Sequence, residues 1–275
     1  MAFLPSTQHP AAALRLPPMD SPLVELARDG VLPDSDFELR FFPVFDMQRH
    51  GIAALFCTPM DAGTGSDAIY GHHAFHDLSV SHWAGIDCAI LGHALMFANR
   101  LARSGIVVAV GASVSFATMC DPKGRTAYRE ALRIAHAREQ GYLVVKIEDI
   151  PVATSGQRIA EIAACVRALA PRVWVHLPSS HMPLSGHEKL RASGVVLSMP
   201  AGLPAHGIQT EARWLARTAA LQSANACMDH VDSAVELDIV RAAGIRFVAG
   251  HALHRPALQG DASLDDIRAA LYSAS

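Results

Sequence analysis

Short apolar runs alternate with amphipathic segments along most of this 275-residue chain. The runs of strand length are 37–45, 52–57, 106–110, 143–147, 173–177, 195–197, 224–228 and 247–249. Helical patterns cover 81–103, 124–140, 156–170, 185–192, 210–222, 234–243 and 264–272. Because apolar strands that alternate with amphipathic helices indicate parallel strands covered by helices, the fold class is α/β. Seven or eight such units in one domain predict a TIM-like (β/α)8 barrel rather than an open sheet.

The first residues follow a different pattern. Four prolines lie among alanines and serines before residue 20, which indicates a mobile leader rather than a domain. Ser21 and Pro22 resemble the start of a short helix that ends near Gly30. We therefore expect residues 1–35 to form a Pro-rich leader with a short helix, and residues 36–275 to form the barrel domain.

Composition excludes several classes of protein. A formal net charge of -3, without blocks of like charge, argues against binding a nucleic-acid polymer. The 5 cysteines form no C-x-x-C pair, which favours reduced thiols and a cytoplasmic protein. No export signal and no apolar run of about 18 residues occurs, so we predict no membrane span.

Motifs near both ends resemble those of one family. Residues 41–47 read Phe-Phe-Pro-Val-Phe-Asp-Met, and residues 51–55 read Gly-Ile-Ala-Ala-Leu. Residues 228–233 read Met-Asp-His-Val-Asp-Ser, and residues 249–256 read Ala-Gly-His-Ala-Leu-His-Arg-Pro. These segments resemble the Y-Q-P-I-V-D-L, G-x-E-A-L, A-E-G-V-E-T and Q-G-Y-x-F-x-R-P motifs of EAL domains, the cyclic-di-GMP phosphodiesterases. The resemblance spans about residues 37–271 and implies an EAL-type barrel whose first strand runs antiparallel.

The same resemblance implies a site with two Mg²⁺ or Mn²⁺ ions, held by carboxylates and an asparagine, but most of the matching positions differ. The departures are Ala53 for the signature glutamate, Cys57 for an arginine, Gly111 for the asparagine, Lys146 for a carboxylate, His176 and Leu177 for two aspartates, Ser198 for a lysine, and Ala249 for a glutamine. Carboxylates stay at Asp149, Asp229 and Asp232. We treat all these residues as positions of a vestigial pocket that no longer catalyses the reaction.

Alternative interpretations stay open for several of these residues. A shift of one residue would move Lys146 to a solvated strand end, whereas the preferred alignment places it near Asp229 as an ion-pair partner. Asp229 and Asp232 can also serve as loop or helix-capping carboxylates, because Ser233 and Glu236 follow in a capping pattern. His176 is better explained as a hydrogen-bonded residue at the barrel mouth than as a ligand or base.

Histidines and one arginine supply the remaining candidates. His176, His251 and Arg255 are candidate ligand contacts. His72, His73 and His76 form a weak zinc candidate because neutral imidazoles suit Zn²⁺, but their spacing matches no zinc motif, so a polar surface loop is the alternative.

These observations predict a catalytically inactive EAL-like domain that regulates or scaffolds bacterial signalling through protein contacts, without a cofactor. The partner is an unidentified protein, and a homodimer is left open. The alternative function is a metal-independent cyclic-di-GMP receptor, although we expect cyclic-di-GMP binding to be weak or absent. The residual alternative is a phosphodiesterase or another enzyme built on Asp229, His176 and Lys146.

Overall fold

The computed structural model describes residues 37–61, 80–135, 141–178, 190–253, 258–259 and 262–272. The expected leader at residues 1–35, the zinc candidates His72, His73 and His76, and the candidate contact Arg255 lie outside these residues. Most of the helix expected at 185–192 also lies outside the described residues. Its last residues, 190–192, are described and are not helical.

Eight strands form a closed barrel, which confirms the predicted fold class. They are β1 Phe37–Asp46, β2 Gly51–Asp61, β3 Ala109–Ser115, β4 Leu143–Glu148, β5 Arg172–Leu177, β6 Gly194–Ser198, β7 Asn225–Asp229 and β8 Phe247–Val248. Strands β2 to β8 run parallel, whereas β1 pairs antiparallel with β2 and with β8 and so closes the ring. The short β9, Leu258–Gln259, extends the sheet from β1. The antiparallel first strand that the family resemblance implies is thus confirmed.

Helices surround the barrel. They are α1 Val80–Arg103, α2 Phe116–Cys120, α3 Pro122–Ile134, α4 Gly156–Arg167, α5 Ala205–Leu221, α6 Ala234–Ala242 and α7 Leu264–Tyr272, with a 3-10 turn at His251–Leu253. None of the described helices combines the length and the apolar character that a membrane-spanning segment needs.

Alternate residues of each strand serve two separate cores. In β4 and β5, Val145, Ile147 and Val175 pack between the barrel and the helices. Their neighbours Val144 and Trp174 pack inside the barrel. This alternation follows from the two-residue period of a strand, and both faces are apolar because helices cover the outside.

Aromatic side chains fill the barrel interior. The ring centroids of Phe56 and Trp174 lie 5.3 Å apart, and those of Trp174 and Phe247 lie 6.0 Å apart. Small residues make room for these rings: a Cβ added to Gly111 would lie 2.2 Å from the ring of Phe56, and one added to Gly194 would lie 2.5 Å from the indole of Trp174. The interior below the mouth is therefore a packed core, as in other barrels of this type.

Candidate functional site at the barrel mouth

Polar side chains gather where the parallel strands end. The inward positions at these ends carry Lys146 and Glu148 on β4, His176 on β5, Ser198 on β6 and Asp229 on β7. They follow the apolar inward residues Val144, Trp174, Val196 and Cys227 two residues earlier on the same strands. Since parallel strands end at one edge of a barrel, the structure brings the predicted residues Lys146, His176, Ser198 and Asp229 together at one mouth, with Glu148 beside them.

Lys146 and Glu148 form a buried ion pair. The Lys146 Nζ lies 2.5 Å from the Glu148 Oε1, and the two side chains are only 8% and 7% exposed. The ammonium also lies 4.8 Å from the centre of the Phe56 ring, within the range of a cation–π contact. Burial lowers the pKa of Lys146, but the carboxylates of Glu148 and Asp229 outweigh burial and raise the pKa above its usual value. Lys146 is therefore charged at neutral pH.

His176 forms a hydrogen bond to a neighbouring hydroxyl group. Its Nε2 lies 2.9 Å from the Ser198 Oγ, and the tautomer decides which atom donates. Burial lowers the pKa of His176 to about 4, and the Lys146 charge acts in the same direction while Glu148 and Asp229 oppose it. The imidazole is therefore neutral at pH 7 and contributes no positive charge to the mouth.

Asp229 is ionised at this edge of the barrel. Burial raises the pKa of Asp229, but His230, Lys146 and the backbone N–H of His230 together bring the pKa below its usual value. The N–H of His230 donates to the Asp229 Oδ1 over 2.9 Å, and His230 holds a positive φ of 56°. Asp229 thus belongs to the mouth, as the alignment predicted, and it does not cap a helix.

Asp232 lies in the loop that follows β7. Its Oδ1 accepts hydrogen bonds from the His251 backbone N–H and lies 2.9 Å from the His251 Nδ1, so it links this loop to the last turn. The helix cap is formed instead by Ser233 and Glu236 as a complete capping box at the start of α6. The capping interpretation is therefore wrong for the Asp232 side chain, because its carboxylate is directed to His251 across the loop.

Two predicted pocket positions do not line the barrel. Cys57 and Leu177 are fully buried in the core between the strands and the helices. Each directly follows an inward-facing residue, Phe56 or His176. Because successive side chains of a strand point to opposite faces, Cys57 and Leu177 point outwards. Burial also raises the pKa of the Cys57 thiol far above its usual range, which keeps that thiol protonated.

The other predicted positions differ in what surrounds them. Ala53 lies at a β-bulge, since Val44 pairs with Ala54 and Phe45 pairs with Ile52. Ala249 is buried inside the barrel, and Asp149 is exposed with a positive φ of 60°. Gly111 faces inward, and the Phe56 ring fills the space that a side chain there would occupy.

Glu148 and Phe56 are parts of the mouth that sequence reasoning missed. Glu148 lies where EAL domains have a threonine, so the family resemblance assigned it no role. The available signal was its spacing of two residues from Lys146, which places both side chains on one face of β4. Phe56 was included only in an apolar strand, and its contact with Lys146 depends on how β2, β3 and β4 lie side by side.

The described residues do not fit a pair of divalent ions. Divalent Mg²⁺ and Mn²⁺ need several oxygen ligands, and this mouth offers the carboxylates of Glu148 and Asp229, the first of which is already paired with an ammonium. An ammonium has no lone pair to donate to a metal. Within the described parts of the chain, no cluster of three or more His, Cys, Asp or Glu residues is arranged to hold a metal ion.

No family model matches the sequence, and no curated protein matches it significantly. Among solved structures, the chain is similar to the FimX EAL domain from Pseudomonas aeruginosa bound to cyclic-di-GMP, with a TM-score of 0.61, 15% identity and coverage of 88% of this chain and 99% of that chain. It is also similar to an EAL domain protein from Listeria monocytogenes, with a TM-score of 0.59, 12% identity and coverage of 90% and 95% respectively.

A third similar structure is the FimX EAL domain of Xanthomonas citri in complex with cyclic-di-GMP. Its TM-score is 0.58 at 18% identity, with coverage of 86% of this chain and 93% of that chain. At such identities the likeness concerns the course of the backbone and not the residues of the site. Together with the antiparallel first strand, these similarities show that this chain has the fold of EAL domains.

Proposed function

We propose that this chain is an EAL-type barrel without phosphodiesterase activity, which regulates or scaffolds signalling through contacts with a protein partner. The observation that carries this proposal is the Lys146–Glu148 ion pair at the barrel mouth. The family resemblance implies catalysis by metal ions at the barrel mouth. In this chain the positive side chain of Lys146 lies there instead.

The electrostatic cost of a metal ion beside this ammonium is large. At an effective dielectric constant near 20, a divalent ion about 4 Å from an ammonium is repelled by roughly 8 kcal/mol. The Glu148 carboxylate offsets part of this repulsion, but the Lys146–Glu148 pair as a whole supplies no net negative charge to hold the ion. Two-metal phosphodiester cleavage places two ions about 4 Å apart, which doubles the requirement for negative ligands.

The proposal is tested by incubating the purified protein with cyclic-di-GMP and either Mg²⁺ or Mn²⁺, and by separating the nucleotides chromatographically. We expect no linear dinucleotide above the level of a protein-free control. Metal-dependent turnover that disappears in Asp229→Ala would contradict the proposal, because Asp229 is the carboxylate at the mouth that Lys146 does not directly contact.

A cyclic-di-GMP receptor is the second candidate function. Two of the similar structures carry cyclic-di-GMP, and Lys146 with the neutral His176 offers hydrogen-bond donors at the mouth of this chain. The ionised carboxylates of Glu148 and Asp229 act against a ligand with two phosphates. We therefore expect a dissociation constant above about 100 μM, equivalent to less than roughly 5.5 kcal/mol of binding free energy. Calorimetry that finds a low-micromolar, metal-independent site would favour the receptor instead.

A further inference from the structure

We propose that the protein partner binds at the barrel mouth beside Asp229, through a segment that presents an arginine or lysine side chain flanked by apolar residues. The receiving surface consists of the loop after β6, the Asp229 carboxylate and Val235 at the start of α6, and we call it the Asp229 surface. The inference rests on the proposed function, because it states where the partner of that regulator would bind.

The apolar part of the Asp229 surface comes from two neighbouring elements. The loop after β6 reads Pro-Ala-Gly-Leu-Pro at residues 200–204, carries no charged side chain, and is exposed apart from the half-buried Leu203. Val235 on α6 is 65% exposed. Because α5 and α6 pack side by side, the loop that leads into α5 and the start of α6 adjoin one another on the mouth face. Adjoining exposed apolar residues, unlike isolated ones, are typical of protein-binding surfaces.

Asp229 supplies a negative charge beside this apolar loop. It ends β7 in register with Ser198 at the end of β6, and its backbone oxygen accepts from the Met199 N–H over 2.8 Å. Its side chain accepts one hydrogen bond, from the His230 N–H to Oδ1 over 2.9 Å. Within the described parts of the chain, no donor lies on the second oxygen, Oδ2. An ionised carboxylate with an oxygen to spare suits the donors of an arginine or lysine side chain.

The charges around Asp229 favour a basic ligand over an acidic one. The ends of strands β4 to β7 and the described loops that follow them carry one lysine, Lys146, and the carboxylates of Glu148, Asp149, Asp229 and Asp232. Glu148 already pairs with the lysine, and His176 is neutral at pH 7 because its pKa is about 4. A basic contact segment is therefore attracted to this part of the mouth, whereas an acidic one is repelled.

A second polar group at the mouth also lacks a partner. Ser113 on β3 is in register with Lys146, is fully buried, and faces the barrel interior two residues after the inward-facing Gly111. Its hydroxyl has no hydrogen-bond partner among the residues that the structure describes. Since nearly all buried hydroxyl groups of native proteins have a partner, the inner side of the mouth needs a further polar group. A long basic side chain that enters the mouth carries several hydrogen-bond donors.

Random dodecapeptides displayed on phage provide the probe, because the partner is unidentified. The peptides are selected on the full-length protein, and the affinities of synthetic copies are measured by fluorescence polarisation. We expect the bound peptides to carry an arginine or lysine next to apolar residues. Replacing the arginine with citrulline, which keeps the shape and removes the charge, should weaken binding by about 10-fold or more.

Matched variants locate the bound peptide. Val235→Asp and Asp229→Asn change the proposed surface, and Leu221→Asp and Asp238→Asn are their controls. Leu221 is 66% exposed at the end of α5 that lies away from the mouth, and Asp238 is 76% exposed on α6. Both surface variants should raise the dissociation constant by about 10-fold or more, and both controls by less than about 2-fold. Because Val235 is exposed, its variant tests the surface even if Asp229→Asn lowers stability.

Several results would overturn the inference. They are an acidic or uncharged consensus among the bound peptides, an equal loss of binding in Leu221→Asp, and the absence of any peptide that the wild type binds better than Val235→Asp. A dimer in sedimentation velocity that Val235→Asp dissociates would also overturn it, because a second copy of the chain would then occupy the surface.

The experiments separate a failure of this inference from a failure of the proposed function. Hydrolysis of cyclic-di-GMP by the wild type would refute the proposed function, whatever the peptides show. Absence of hydrolysis, together with peptide binding that is indifferent to Val235→Asp and Asp229→Asn, would refute only the location of the partner surface.

Discussion

Removing Arg246 should destabilise the barrel more than removing its partner, Asp46. Arg246 donates from Nε and from its terminal nitrogen to both oxygens of Asp46, at distances of 2.7 to 3.1 Å. The Asp46 side chain is 3% exposed and that of Arg246 is 19% exposed. The pair lies beside the β1–β8 seam, which has only the Phe45–Val248 and Asp46–Phe247 pairings in register.

The expected magnitudes follow from what each substitution leaves behind. Arg246→Met leaves the buried Asp46 carboxylate with only the exposed Arg49 guanidinium, 3.9 Å away, which should reduce the free energy of unfolding by about 3 kcal/mol. Asp46→Asn keeps an oxygen that can accept from the N–H groups of Gln48 and Arg49, and the remaining guanidinium can reach water. Its cost should be about 1 to 2 kcal/mol, and the double variant should cost less than the sum of the two.

Acidity provides a second test of the same pair. Burial raises the pKa of Asp46, but the hydrogen bonds and charge of Arg246 and the two backbone N–H groups bring the pKa below its usual value. A lowered folded-state pKa contributes stability that is full above the unfolded-state pKa of about 3.9 and is lost as the pH falls through the folded-state value. In Arg246→Met, burial without the Arg246 cation raises the pKa of Asp46. Protonation of Asp46 in acid then removes the poorly compensated charge, so the destabilisation of the variant should become smaller as the pH falls.

Urea unfolding at pH 7 and at about pH 3.5 measures both effects. The stability difference between wild type and Arg246→Met should be largest at pH 7 and should narrow at the lower pH. The reasoning would be refuted if Arg246→Met cost less than Asp46→Asn, or if the difference did not change with pH.

Two further substitutions and one matched control test the loops and helices of the barrel. Gly250→Ala should cost about 3 kcal/mol or more by urea unfolding, because Gly250 has a φ of 141° and an added Cβ would lie 2.3 Å from the Val231 carbonyl oxygen. The matched Gly85→Ala in α1, where an added Cβ meets no atom within 4 Å, should instead stabilise the protein by up to about 1 kcal/mol, and equal costs would disprove the packing argument. Ser233→Ala should cost about 1 kcal/mol by losing the capping box of α6, and an unchanged urea midpoint would show that Glu236 holds the helix start without it.

The alternation of strands and helices was enough to predict the barrel, but not all of its boundaries. Strand β3 was expected at 106–110 and is found at Ala109–Ser115. Its second half consists of small residues, and Ser113 and Ser115 are fully buried although their polarity resembles that of a loop. The Ser115 N–H donates to the carboxylate of Asp87 on α1, a contact between distant segments that no local pattern indicates.

Which face of each strand points inward is harder to predict, and this limited the prediction of the residues that line the site. Both faces of a covered parallel strand are apolar, so hydrophobicity does not show which residues face the interior. The match to the family motifs assigned Cys57 and Leu177 to the pocket, although they face the helices, and it missed Glu148 beside Lys146. A β-bulge at Ala53 adds a further shift, which depends on how β1 pairs with β2.

Complementary sizes on neighbouring strands determine the inward face in this barrel. Phe56 on β2 is in register with Gly111 on β3, and its ring occupies the space that a side chain on Gly111 would need. The same ring then supports the Lys146 ammonium two strands from its own. The absence of a side chain at Gly111 and the position of the Lys146 cation are therefore parts of one packing arrangement. The link between Gly111 and Lys146 through the Phe56 ring becomes visible only from the arrangement of the neighbouring strands.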